Sequence, residues 1–186
     1  MTLPENIKEI FFQTLYGSKN ILEFETWLYR DEQLEGILSP ESYLDLISYG
    51  YKGEAAKYGL YKLLENLIDK GEYETWKLLG LLRKALKRDD ELPEILMTFY
   101  DLYCKGYTFL DNLGLGYGLA VEVPYRLDKD SWDELTVEQQ QNLLNSFYPD
   151  IEGEIIKVLS WIESRQIILT GIRGEYNRYE YIDNRP

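Results

Sequence analysis

The chain has 186 residues, 45% of them hydrophobic and 28% charged, the composition of one soluble globular domain with a real core. With 20 basic against 33 acidic side chains it carries a net charge of −13, which repels nucleic-acid phosphate and anionic lipid and favours a basic protein partner. It has no histidine and one cysteine, Cys104, which excludes Ser-His-Asp and Cys-His nucleophile arrangements, HExxH metal sites, a structural zinc set and an intramolecular disulfide.

Residues 1–110 read as helices. Segment 3–16 spaces Leu3, Ile7, Ile10, Phe11 and Leu15 along a helical face and stops at Gly17, with Thr2 and Glu5 at capping-box spacing. Asn20 followed by Glu23 predicts the N-cap of a helix over 21–30 that carries Leu22, Phe24, Trp27 and Leu28. Ser39-Pro40 has the form of an N-cap and a first-turn proline, leading a helix over 40–49. Segment 54–69 sets Leu60, Leu63, Leu64, Leu67 and Ile68 against lysines and glutamates, and Gly71 is predicted to close it. A helix over 72–87 follows, with Trp76, Leu78, Leu79, Leu82 and Leu86, and Pro93 opens another that runs to about Lys105. "FETW" at 24–27 recurs as "YETW" at 73–76. "PESYLDLISYGYKG" at 40–53 shares its first two and last two residues with "PEILMTFYDLYCKG" at 93–106, the pattern a duplicated helical unit would leave.

After residue 106 the pattern changes. "DNLGLGYGLAVEVP" at 111–124 alternates with period two. Leu113, Leu115, Tyr117, Leu119, Val121 and Val123 take one side, and Gly114, Gly116, Gly118, Ala120 and Glu122 the other. Residues 113–123 are therefore predicted to form a strand with one bare face. Glycines weaken a strand, so a helix, an aromatic ring or another backbone is expected directly against that face. The stretch is not a phosphate loop. The sixth position of a dinucleotide fingerprint is Leu119 counted from Gly114 and Val121 counted from Gly116, and no Gly-Lys-Ser/Thr is present.

Ser131 with Glu134, and Thr136 with Gln139, both have capping-box spacing, and a helix is predicted over 136–146. Another is predicted over 151–163 despite Gly153. "QIILTGI", a turn at Gly174 and Asn177, and "RYEYID" predict a β-hairpin. The predicted fold is mainly α (α+β), with a helical N-terminal two-thirds packed on a small β-sheet from residues 113–123 and the C-terminal hairpin. It is expected as a single domain, 1–186, in which residues 1–110 are helical and residues 111–186 are mixed α/β.

Few residues point to chemistry. "LDKDSWDEL" gathers Asp128, Asp130, Asp133 and Glu134, but Trp132 and Asp133 stand where an EF-hand needs an oxygen ligand and a glycine, so a solvated loop is expected. A carboxylate-based hydrolase is an alternative reading, although any acidic chain supplies carboxylate pairs. Tyrosine is unusually abundant, with 17 copies beside four tryptophans. Most are expected at boundary positions, ring inward and hydroxyl wet. Those in the tail accompany arginines and form the best local candidate for a contact surface, since tyrosine and arginine are enriched in binding hot spots. The balanced charge of the tail does not suit an RNA platform. The residues expected to bind a partner are Tyr117, Arg173, Tyr176, Tyr179 and Tyr181. No catalytic residue, metal or cofactor is expected.

At "FETWLY" (24–29), "FLDNLGLGYG" (109–118) and "EYIDNR" (180–185) the chain resembles uncharacterised small bacterial proteins of the polymorphic-toxin immunity type. That resemblance implies a small cytosolic protein that binds and blocks a toxin. The opening "MTLPENIKEIFFQTLYG" lacks a basic leader and no apolar run is long enough to span a bilayer, so a cytoplasmic location is expected. The expectation is a non-enzymatic acidic binding protein with a basic protein partner, possessing neither nucleic-acid nor membrane affinity. The alternative is a structural or scaffold protein whose acidity serves solubility.

Overall fold

Side-chain caps set the starts of several helices in the computed structural model, which describes residues 3–53 and 55–186. The chain divides into two compact units, Met1–Tyr73 and Glu74–Pro186.

In the first unit, α1 (Glu5–Tyr16) ends on Gly17, whose φ of 89° lets its N–H reach back to the Gln13 and Thr14 carbonyls. Thr2, of the expected capping box, lies outside the described residues, and Pro4 is the N-cap. For α2 (Ile21–Leu28) the capping box is complete: Asn20 Oδ1 accepts from the Leu22 and Glu23 N–H groups, and Glu23 accepts from the Asn20 N–H. A short α3 (Leu34–Ile37) is started by Asp31, which accepts from the Gln33 and Leu34 N–H groups. Ser39 caps α4 (Pro40–Ile47), and α5 (Ala56–Glu65) follows. Gly71 does not close a helix. Asp69 accepts from the Glu72 N–H at 2.9 Å, so α6 (Lys70–Ala85) begins one residue before that glycine.

The core of this unit gathers Ile7, Phe11, Phe24, Leu28, Leu34, Leu46, Leu60 and Leu64, with Phe11 edge-on to Phe24 at 5.8 Å. One cation sits almost buried at its margin. Lys8 Nζ bridges Glu72 at 2.7 Å and Glu5 at 3.1 Å, and these carboxylates, Glu72 foremost, raise its pKa.

The second unit contains most of α6, then α7 (Leu92–Cys104), a π-helix (Asn112–Gly118), α8 (Leu119–Glu122), α9 (Val137–Ser146), α10 (Asp150–Glu163) and the hairpin. The strand expected over 113–123 is absent: residues 113–122 are helical, and the Leu119 N–H reaches the Gly114 carbonyl five residues back. The glycines explain why. On a helix Gly114 and Gly118 share a face, and that face lies against the backbone of α7. A Cβ on Gly118 would stand 2.3 Å from the Leu96 carbonyl oxygen, and one on Gly114 2.8 Å from Tyr103 Cβ. Gly116 points the other way, with nothing within 4 Å of a Cβ. The expected close approach is therefore real for two of the three glycines, but α7 makes it against a helix. Leu110, Leu113 and Val121 are fully buried beside it.

The hairpin forms as predicted, with β1 (Ile167–Arg173) antiparallel to β2 (Tyr179–Asp183). Ile167 pairs with Asp183, Ile168 with Ile182 and Leu169 with Tyr181. A bulge containing Gly171, at φ 68°, then shifts the register to Arg173 opposite Tyr179. The fold is thus mainly α with one two-stranded sheet among the described residues.

Two buried tyrosines separate packing from hydrogen bonding. Tyr51 donates to the Leu46 carbonyl at 2.8 Å, whereas the Tyr107 hydroxyl has no hydrogen-bond partner among the described residues. Burial pushes the pKa of both well up. Tyr51→Phe is expected to cost about 1 kcal/mol, while Tyr107→Phe, which removes an unpaired buried polar group, is expected to be neutral or stabilising by up to about 1 kcal/mol. Urea unfolding of the two variants checks the difference in sign.

Candidate functional site

The five residues expected to bind a partner occupy different settings. In the hairpin, Tyr179 stacks on Tyr107 with centroids 4.8 Å apart, and Tyr181 meets Phe109 edge-on at 4.9 Å. The Tyr181 hydroxyl also shares a 2.8 Å hydrogen bond with Thr108 Oγ1. Arg173 lies over the Tyr179 ring at 4.5 Å and donates to its hydroxyl at 3.0 Å and to Asn177 Oδ1 at 3.3 Å. Tyr179 and Tyr181 fasten the hairpin to the core, and Arg173 braces Tyr179 from within the hairpin. Tyr176 is different: it is 93% exposed at the tip, with φ 56°. Tyr117 packs elsewhere, edge-on to Phe147 at 5.1 Å.

Around Tyr117 the structure assembles a site. The π-helix and the start of α10 flank an open groove of about 640 Å³, lined by Asn112, Gly116 and Tyr117 on one side and Pro149, Asp150, Gly153 and Glu154 on the other. Neither Gly116 nor Gly153 has anything within 4 Å of a Cβ position, so both walls are bare at those points. Asn112 Nδ2 donates to Glu154 at 3.0 Å, and Glu154 also pairs with Lys157. Burial pushes the Glu154 pKa up, but these donors outweigh it and hold the carboxyl below its usual range. Burial, with Asp150 and Glu154 adding to it, raises the Tyr117 phenol. Lys157 balances Glu154. Asp150, in the first turn of α10, forms no ion pair among the described residues and lines the same groove as Tyr117. A carboxylate and a tyrosine lining one groove suit a lysine or arginine side chain.

Of the residues lining this groove, Tyr117 is the one among the five expected to bind a partner. Asp150, Gly153 and Glu154 carried a signal, namely a glycine inside a helical segment flanked by acids one turn apart. The acids of the 128–134 loop stay exposed, and among the described residues no three His, Cys, Asp or Glu side chains are grouped so as to hold a metal ion. No helix among the described residues is long and apolar enough to cross a membrane. Compared with known proteins, the chain matches no family model, no curated protein and no solved structure.

Proposed function

We propose that the chain is a non-enzymatic acidic binding protein of the cytoplasm whose partner is a basic protein, and that it acts by occluding the partner's basic surface. The resemblance to immunity proteins gives the sharper form, in which the partner is a toxin. The observation that carries this reading is the groove beside Tyr117. There Asp150, free of any ion pair among the described residues, stands next to a tyrosine ring between two walls bared by Gly116 and Gly153. The surrounding sequence agrees, since residues 89–163 hold 4 basic against 16 acidic side chains. Such a field speeds encounter with a cationic partner, and the groove then offers one of its side chains a seat.

A labelled oligo-arginine peptide is the defined probe. Its affinity for the full chain is expected to fall as salt rises, and Asp150→Asn is expected to weaken it about fivefold, the worth of one partly exposed charge pair. Equal affinity for the wild type and Asp150→Asn, or binding indifferent to salt, overturns the reading. The toxin form is tested by growth: co-expression with a basic toxin it neutralises should restore growth, and Asp150→Asn should reduce that protection.

A further inference from the structure

Two helical glycines of the groove are not required by the fold. Glycine inside a helix is destabilising relative to alanine, so its place there needs a cause. For Gly114 and Gly118 of the π-helix the cause is α7, since a Cβ would stand 2.8 Å from Tyr103 Cβ and 2.3 Å from the Leu96 carbonyl oxygen. Gly116 lies between them and Gly153 lies near the start of α10, and no such cause acts on either. Neither adopts a left-handed φ, and a Cβ on either would meet nothing within 4 Å. What they share is the groove, which both line together with Tyr117, Asp150 and Glu154. Their missing side chains leave room in it.

The acids of α10 say what kind of group that room suits. Glu152 pairs with Arg88, Glu154 with Lys157 and Glu163 with Arg83, whereas Asp150 forms no ion pair among the described residues. Glu154 is engaged further by Asn112. Asp150 is thus the carboxylate left to accept from an incoming cation. An ammonium would be held there as a compact, strongly hydrated point charge on a thin methylene stem. A guanidinium is flat and more weakly hydrated, donates in a fork to one carboxylate and stacks on aromatic rings. The wide, planar group gains from walls without side chains, and the narrow stem does not need them.

We infer that the groove selects arginine over lysine, and that Gly116 and Gly153 set this selectivity by leaving a slot for a guanidinium that Asp150 accepts beside Tyr117. This selectivity rests on the groove being the seat proposed above for a basic partner, and it names the side chain that partner inserts.

Oligo-arginine and oligo-lysine peptides of equal length, titrated into the full chain, test it. At equal charge the wild type is expected to bind oligo-arginine about fivefold more tightly. Gly116→Leu and Gly153→Leu each put a side chain into the slot. Each is expected to lower the oligo-arginine affinity to that of oligo-lysine while the urea unfolding midpoint stays unchanged or rises. Affinity and stability then move in different directions, which a merely structural glycine would not allow. Equal affinity of the wild type for the two peptides, or a preference that persists in either leucine variant, overturns the inference. A lowered midpoint in either variant also overturns it, by returning that glycine to the fold. The groove reading fails separately. If Asp150→Asn leaves oligo-arginine binding unchanged, the groove is not the seat, whereas binding that needs Asp150 but shows no arginine preference removes the selectivity alone.

Discussion

Gly118→Ala is expected to destabilise the second unit by at least about 3 kcal/mol, while Gly116→Ala, two residues away, is expected to cost nothing. The added methyl at Gly118 would stand 2.3 Å from the Leu96 carbonyl oxygen, 2.9 Å from Tyr100 Cβ and 3.1 Å from the Tyr100 amide nitrogen. Two of these are backbone atoms of α7 and cannot rotate away, so α7 and the π-helix must separate. That separation loosens Leu96, Phe99, Leu110, Leu113 and Val121 together, the buried centre of the unit. Gly114→Ala shares the problem more mildly, with Tyr103 Cβ at 2.8 Å and the Phe99 carbonyl oxygen at 3.1 Å. At Gly116 a methyl meets nothing, and replacing a helical glycine with alanine gains about 0.5–1 kcal/mol. Urea unfolding followed by circular dichroism measures all three, in the expected order Gly118 worst, Gly114 next and Gly116 neutral or stabilised.

The second large effect is expected at Gly106→Ala. This residue ends α7 with φ 127°, a conformation that costs a side-chain-bearing residue about 1–3 kcal/mol. Its Cβ would also stand 2.6 Å from the Tyr179 carbonyl oxygen and 3.0 Å from the Tyr179 nitrogen. The backbone of β2 rests directly on this glycine, and the Tyr179 N–H donates to the neighbouring Lys105 carbonyl at 2.7 Å. Strain and clash act in the same direction, so a total cost of about 2–5 kcal/mol is expected, concentrated in the hairpin. Hydrogen exchange reads this out locally. The amides of Ile168, Thr170 and Tyr179 should lose protection in Gly106→Ala, while those of α1 and α2 keep theirs. Unchanged protection in the hairpin would show that β2 does not depend on Gly106.

Caps were the most legible feature of the fold, because their chemistry is local. Asn20 with Glu23 and Thr136 with Gln139 form complete capping boxes, whereas Ser131, at the same spacing from Glu134, makes no side-chain cap bond. The stretch at 113–123 misleads because two periods coexist there. Leucine–glycine alternation reads as a strand, yet Leu110, Leu113, Tyr117 and Val121 also recur at helical spacing, with Gly114 and Gly118 one turn apart. Only the proximity of α7 decides between them, and that proximity depends on residues distant in sequence. The hairpin tyrosines raise a similar problem. Alternation shows that Tyr179 and Tyr181 share a face, but Tyr107 and Phe109 determine that the face is inward. Asp150 is not legible as a site residue because its carboxylate gains meaning only beside Tyr117, which the fold brings to it.

Backbone amide shifts followed by NMR during titration with an oligo-arginine peptide test the groove most directly. If a cationic side chain seats there, the largest shifts fall on Gly116, Tyr117, Asp150 and Gly153 and disappear in Asp150→Asn. Shifts spread evenly over the acidic residues, or confined to the hairpin, contradict it.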